Sequence, residues 1–180
     1  LPAAEEAILA KSVRTIVDQV GAMKRLVNEF RDYARLPAAE LHPLDLNVLV
    51  TEVLQLYGSE NAAVPVVAEL DSHCPPVMGD AQQLRQVVHN LLQNAQDATE
   101  QARGEGPALP PVRITTRWSE STRRVRLTVS DSGPGFPAHI LQRAFEPYVT
   151  TKPRGTGLGL AVVKKIADEH GARIELSNRL

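Results

Sequence analysis

The sequence predicts an α+β fold: a two-layer α/β sandwich preceded by one long helix. Three observations predict it. A narrow apolar stripe runs at heptad spacing through residues 9–34. Behind it, segments of helical period alternate with short segments of period two. Two of the latter, joined by a polar turn, read as a hairpin, which favours an α+β sandwich over a doubly wound parallel sheet.

The first element is the stripe. Leu9, Val13, Ile16, Val20, Met23, Val27, Phe30 and Ala34 are spaced alternately by four and three, with Lys, Arg, Asp and Glu on the other faces. Such a seam suits either an amphipathic helix lying on the chain's own core or, being narrow and unbroken, a coiled-coil helix awaiting a partner. Leu36-Pro37 closes it, because proline cannot continue a helix and the residue before it leaves helical space. This divides the chain into a helix (1–36), a linker (37–45) and a second module (46–180).

Within the second module, LDLNVLVTEVLQLY reads as a helix and VPVVAEL alternates like a strand. PPVMGD leads into a helix near Asp80, which stands three residues before Gln83 as in a capping box. RGEGPALPP reads as a loop, and VRITTRW with RVRLTVSDSG as the hairpin. After a Gly- and Pro-rich stretch comes the helix of GTGLGLAVVKKIADEHG, ended by Gly171, and RIELSN reads as a last strand.

Composition narrows the function classes. A net charge of −1 supplies no broad field for nucleic acid or anionic lipid. One cysteine, Cys74, rules out an internal disulfide and fits a reducing, cytoplasmic setting. No apolar run approaches the roughly 20 residues of a membrane-spanning helix, and the start lacks a signal peptide. With no initiator methionine, the chain reads as a piece of a longer one, so any membrane contact is expected through other parts of the parent protein.

Three patches carry chemistry. On the helix after Asp80, the apolar stripe of Leu84, Val87, Val88, Leu91, Leu92 and Ala95 is flanked by Asn90, Asn94 and Asp97. Asparagine is a poor helix former, so two of them a turn apart are either chance surface residues or neutral carbonyl ligands for a hard cation. Asp131-Ser132-Gly133-Pro134-Gly135 follows a strand directly. It is either an Asp-Gly turn or a carboxylate that can accept from an exocyclic amine, with glycines letting a flat base approach. In FEPYVTTKPRGTGLGL, Lys152 is either a solvated loop lysine or a point charge for phosphate. Gly155, Gly157 and Gly159 spend backbone entropy at a helix start, so a tight turn, close packing or a phosphate on bare N–H groups must require them. They match neither the dinucleotide fingerprint nor the P-loop string.

The order of these strings is informative. HNLLQNAQDA, DSGPGF, FEPYVTTK and GTGLGL closely resemble the N, G1, F and G2 boxes of sensor histidine kinases, and TTKPRGTGLGL looks most like the nitrogen-regulation (NtrB/NtrY-like) branch. The resemblance covers most of residues 45–178, and NEFRDYAR resembles the end of the second helix of that family's dimerisation hairpin. It implies a Bergerat-type ATP-binding fold with ATP and Mg²⁺ as cofactors. Position by position, it implies Asn94 as the Mg²⁺ ligand, Asn90 as support for metal and phosphates, and Asp131 as the reader of the adenine amine. Gly133 and Gly135 would border the base, and Phe145 would anchor a mobile lid. Thr151 and Lys152 would reach the phosphates, and Gly155, Thr156, Gly157, Leu158 and Gly159 would cradle them. The catalytic group would be Asn90, Asn94 and Lys152.

The resemblance further implies a homodimer through the heptad helix and a response regulator as partner. It places the phosphoacceptor helix before residue 1 and the closing strands after residue 180. None of His42, His73, His89, His139 and His170 stands in an acceptor context, so the chain is expected to bind ATP without phosphorylating itself. Two other functions compete. A superfamily ATPase of the gyrase, Hsp90 and MutL kind would carry a Glu general base where Asn90 stands. A non-catalytic dimerisation module would bind no nucleotide at all.

Overall fold

The computed structural model describes residues 2–57, 64–102, 109–152 and 155–179, and its elements run α1 (Ala3–Ala34), β1 (His42–Leu44), α2 (Leu46–Tyr57), β2 (Val66–Leu70), β3 (Val77–Gly79), α3 (Ala81–Gln101), β4 (Val112–Ser119), β5 (Arg124–Ser130), α4 (Ala138–Leu141) and α5 (Gly159–Glu169). Residues 103–108 of the expected loop lie outside the described residues.

The 32-residue helix α1 places Glu5 and Glu6 in its first turn and Arg31 in its last, matching the helix dipole. None of its residues is buried, and Leu9, Val13, Ile16, Val20, Met23, Val27 and Phe30 are each at least 50% exposed. The seam therefore does not lie on this chain's own core. α1 touches the second module near its end: Lys165 Nζ on α5 donates to the Tyr33 carbonyl at 2.7 Å and sits 4.9 Å from the Tyr33 ring centroid.

The linker region is not wholly irregular. His42–Leu44 form β1, which pairs antiparallel with β3 in the register His42↔Gly79 to Leu44↔Val77. Asp45 then caps α2 by accepting from Asn47 N (2.9 Å) and Val48 N (3.2 Å).

The main sheet has the order β2-β4-β5. β2 runs parallel to β4, Val66 beside Val112, and the expected hairpin joins β4 to β5, Arg113 opposite Ser130 through to Ser119 opposite Arg124. Val112 and Ile114 on the inner face of β4 are fully buried against Leu49, Val50 and Val53 of α2 and Val88, Leu92 and Ala95 of α3. Burying side chains of this size contributes roughly 1.5–3 kcal/mol each. Thr116 is buried in the same row, and its hydroxyl is satisfied on both sides, donating to Asn47 Oδ1 (2.7 Å) and accepting from Asp71 N (3.0 Å). Asp71 holds the other end of the sheet. Its carboxylate accepts from the backbone N–H of Trp118 at 3.0 Å and of His73 at 3.0 Å, which lowers its pKa to about 2.

Asp80 is the N-cap of α3, accepting from Gln83 N at 3.2 Å, but the box is only half closed. The Gln83 amide turns away and donates to the Pro37 carbonyl at 2.8 Å, while Asp80 N donates to His170 Nε2 at 2.9 Å. The second Asp80 oxygen accepts from Glu40 N at 3.0 Å, the leading cause of that carboxyl's lowered pKa. His170 Nδ1 lies 2.8 Å from the Ile166 carbonyl. A ring with its proton on Nδ1 satisfies both contacts, so His170 ties the end of α5 to the start of α3. Gly171 (φ 59°) closes α5 as expected, with Gly171 N bonded to Asp168 O (3.1 Å) and Ala172 N to Ala167 O (2.8 Å).

One expected strand is not formed. In RIELSN, Ile174 and Leu176 are half-buried between exposed neighbours, so the alternation is real, but the segment joins no sheet among the described residues. Alternation encodes which side faces inward; a ladder also needs a strand alongside. The segment is instead pinned by Asn178, which exchanges two 2.8 Å hydrogen bonds with the backbone N–H and carbonyl of Phe136.

Candidate functional site

A broad cleft opens between α3, the end of β5 and the segments on either side of α4. The exposed flank of α3 supplies Asn90, Asn94 and Asp97, one wall of the cleft, because its other face is committed to Val88, Leu92 and Ala95 in the core. Facing it are Gly155, Thr156, Gly157 and Gly159 before and at the start of α5, with Thr151 and Lys152 beside them. Asp131, Gly133 and Gly135 close the third side. Asp97 apart, these are eleven of the thirteen residues expected at the site.

The other two do not line the cleft. Leu158 is fully buried with Ala161, Val162, Val163 and Ile166, so its side chain packs α5 into the module and cannot face a ligand. Phe145 is half-buried, next to the buried Ala144, outside the cleft lining.

The polar groups are already engaged. Lys152 Nζ donates to Asp97 Oδ2 at 2.7 Å and to Asn94 Oδ1 at 3.1 Å. The Asn90 amide donates to the Gly159 carbonyl at 3.4 Å, across the cleft floor. Asp131 Oδ1 accepts from Gly133 N at 2.7 Å, so one of its oxygens holds the turn.

The glycines have separate reasons. A Cβ on Gly133 would stand 2.6–2.8 Å from Ala98 of α3, so the turn can approach that helix only without a side chain. Gly157 has φ +72°, and a Cβ there would meet the Tyr148 backbone at 2.4 Å; its carbonyl accepts from Tyr148 N at 2.9 Å. Gly159 is different, since an added Cβ would find nothing closer than the Asn94 amide at 3.7 Å. Of these three it is the one whose bareness the protein's own packing does not explain.

Two cleft residues outside the expected set bond members of it. Asp97 was noted for its spacing only. Glu29 of α1 bonds the Thr156 hydroxyl, bringing the long helix against the glycine-rich segment. Nothing local marks Glu29, because its position depends on how α1 crosses the module.

Residues 79–180 match the model of the histidine kinase-, DNA gyrase B- and HSP90-like ATPase family. The chain belongs to that family, and its fold is that of the family's histidine kinase catalytic domains. It is an ATP-binding domain. Among curated relatives, it is 37% identical to nitrogen regulation protein NtrY of Azorhizobium caulinodans, covering 91% of this chain and 21% of that protein. Among solved structures, it matches the catalytic domain of the histidine kinase ThkA at 35% identity and TM-score 0.66, over 78% of this chain and 89% of that one. It also matches full-length ShkA, solved with AMPPNP, at 31% identity and TM-score 0.69, over 89% of this chain and 34% of that one. ThkA in complex with the response regulator TrrA matches at 27% identity and TM-score 0.70, over 91% of this chain and 45% of that one. The chain thus spans about a fifth of the NtrY protein's length.

Proposed function

We propose that this chain is the ATP-binding catalytic part of a sensor histidine kinase, delivering the γ-phosphoryl group of Mg-ATP to a histidine on a dimerisation helix outside this chain. A response regulator then receives it. The observation that carries this reading is the convergence of eleven sequence-marked residues on one cleft. In it, residues 1–36 belong to a dimerisation hairpin, 37–45 form the connection and 46–180 the catalytic module. Pairing of two chains through α1 is supported by its exposed heptad seam. The work falls on the cytoplasmic side, where ATP is supplied.

Each wall then has a task. Asp131 keeps one carboxylate oxygen on Gly133 and offers the other to the adenine amine. Gly159 presents its backbone N–H at the start of α5, the positive end of a helix, to phosphate oxygens. A divalent ion fits here, because Asn94 offers a neutral carbonyl oxygen that already faces an ammonium. When bound, Mg²⁺ would draw charge from the phosphates; Lys152 supplies a second, movable positive charge. Asn90 is a carboxamide bonded to the Gly159 carbonyl, and such a group takes no proton from water, which favours phosphoryl transfer over hydrolysis.

Calorimetric titration with ATP, with and without Mg²⁺, tests the reading. Mg-ATP should bind, and Asn94→Ala should weaken binding more with the metal than without it. A labelled γ-phosphate should appear on an added hairpin carrying an acceptor histidine, and not on this chain alone. Absence of any nucleotide binding by the wild-type chain would overturn the reading.

A further inference from the structure

Lys152 is held where a long, flexible lysine has no need to be. Its ammonium lies between Asp97 Oδ2 at 2.7 Å and Asn94 Oδ1 at 3.1 Å, and Gln93 Nε2 steadies the other Asp97 oxygen at 3.1 Å. The Lys152 and Asp97 side chains are 27% and 35% exposed, against 43% and 59% for the ordinary surface pair Lys164–Asp168. Their attraction is therefore only partly screened. The backbone at Lys152 is pinned too, with Lys152 N on Thr150 Oγ1 at 3.0 Å and its carbonyl accepting from Gly155 N at 3.1 Å.

We infer that Asp97 is a positioning residue that parks the Lys152 ammonium on the Asn94 carbonyl oxygen before nucleotide arrives, so that Lys152 and the metal compete for one oxygen and the lysine is released to the phosphates as the metal enters. The inference rests on the cleft being the Mg-ATP site proposed above. Its physical basis is exclusion. Mg²⁺ needs its oxygen at about 2.0–2.1 Å, and an ammonium on the same carbonyl in a half-buried site would be strongly repelled by it. Asp97 sets the balance, because its charge decides how firmly the lysine stays when no metal is present. Without that charge, Lys152 can swing to the phosphates unprompted, and ATP binding loses part of its dependence on metal.

The test is a double-mutant cycle on the whole chain, with Asp97→Asn, Lys152→Met and both together, each titrated with ATP in Mg²⁺ and in EDTA. In EDTA, Asp97→Asn should bind ATP about three- to tenfold more tightly than wild type. In Mg²⁺ its affinity should change little. In the Lys152→Met background, adding Asp97→Asn should recover less than half of that gain. An equal gain in both backgrounds means that Asp97 merely repels the nucleotide, and overturns the inference. So does an unchanged EDTA affinity in Asp97→Asn, or a loss that is the same in both conditions. If wild type binds no ATP in either condition, the site reading itself falls and this inference with it. Wild-type binding with an indifferent Asp97→Asn removes the inference alone.

Discussion

Replacing Gly159 by alanine separates what the glycine-rich segment does for folding from what it does for ligand. Gly159 is the first residue of α5, and an added Cβ would meet only the Asn94 amide atoms, at 3.7 and 3.9 Å. That is ordinary van der Waals contact, so the substitution carries no steric penalty. Alanine is the better helix former by up to about 1 kcal/mol, less in a first turn. The folded protein should hold its stability or gain a few tenths of a kcal/mol, a rise in Tm of about 1 °C for a chain this size. The methyl group would nonetheless stand between the start of α5 and Asn94, where the proposed function has phosphate oxygens approach the backbone. A hydrogen bond to a charged group is worth about 1.5–3 kcal/mol, so ATP affinity should fall by roughly ten- to a hundredfold. Thermal melting and calorimetric titration of this one variant decide the matter. Undiminished affinity in a stable Gly159→Ala protein would refute the reasoning. Gly157→Ala is the control. Its φ of +72° and a 2.4 Å approach to the Tyr148 backbone should cost about 2 kcal/mol or more of stability before any ligand is added.

Other expectations are equally direct. Asp131→Asn should lower ATP affinity far more than Tm, because an amide keeps an oxygen for Gly133 N at this turn but can present the wrong group to the base; the reverse pattern would make Asp131 a turn residue only. Glu29→Gln removes a negative charge that bonds the Thr156 hydroxyl at the cleft edge, so it should raise ATP affinity several-fold while leaving the module's melting unchanged; lowered affinity would show that α1 supports the site. Val20→Glu with Val27→Glu should turn a self-associating chain into a monomer in sedimentation, and a wild type that is already monomeric removes pairing through α1. Asp71 has its pKa lowered to about 2 from 3.8, chiefly by the Trp118 N–H and then by His73. Its contribution is complete above roughly pH 4 and is lost as pH falls towards 2. Acid unfolding followed by fluorescence of Trp118, the sole tryptophan, should therefore be steep in that window and flatter in Asp71→Asn.

Elements with strong period were legible in the sequence. The heptads of α1, the apolar faces of α2 and α3 and the β4–β5 hairpin all follow from spacing, since each must bury one face or leave a seam for a partner. Short elements were not. β1 and β3 have three residues each and exist because they pair with one another across 32 intervening residues, which no local pattern records. RIELSN erred the other way, with the right alternation and no strand beside it.

The site shows the same division more sharply. Asn94 and Lys152 could be marked singly by residue type, yet the ammonium's place on the Asn94 oxygen depends on Asp97, and Glu29 enters only through the course of α1. The glycines at 155, 157 and 159 look like one motif with one cause, and the structure gives them three. Gly155 is bare because a Cβ would stand 2.6 Å from Thr150 Oγ1, Gly157 because the Tyr148 backbone lies against it, and Gly159 for no reason within the protein's own packing. Alternate spacing follows, because the segment folds back on residues 148–152 before it enters α5, so successive glycines meet different neighbours. A glycine that the fold itself requires says little about a ligand. The glycine the fold leaves unexplained, facing Asn94 across the cleft, is the one whose substitution should touch nucleotide and nothing else.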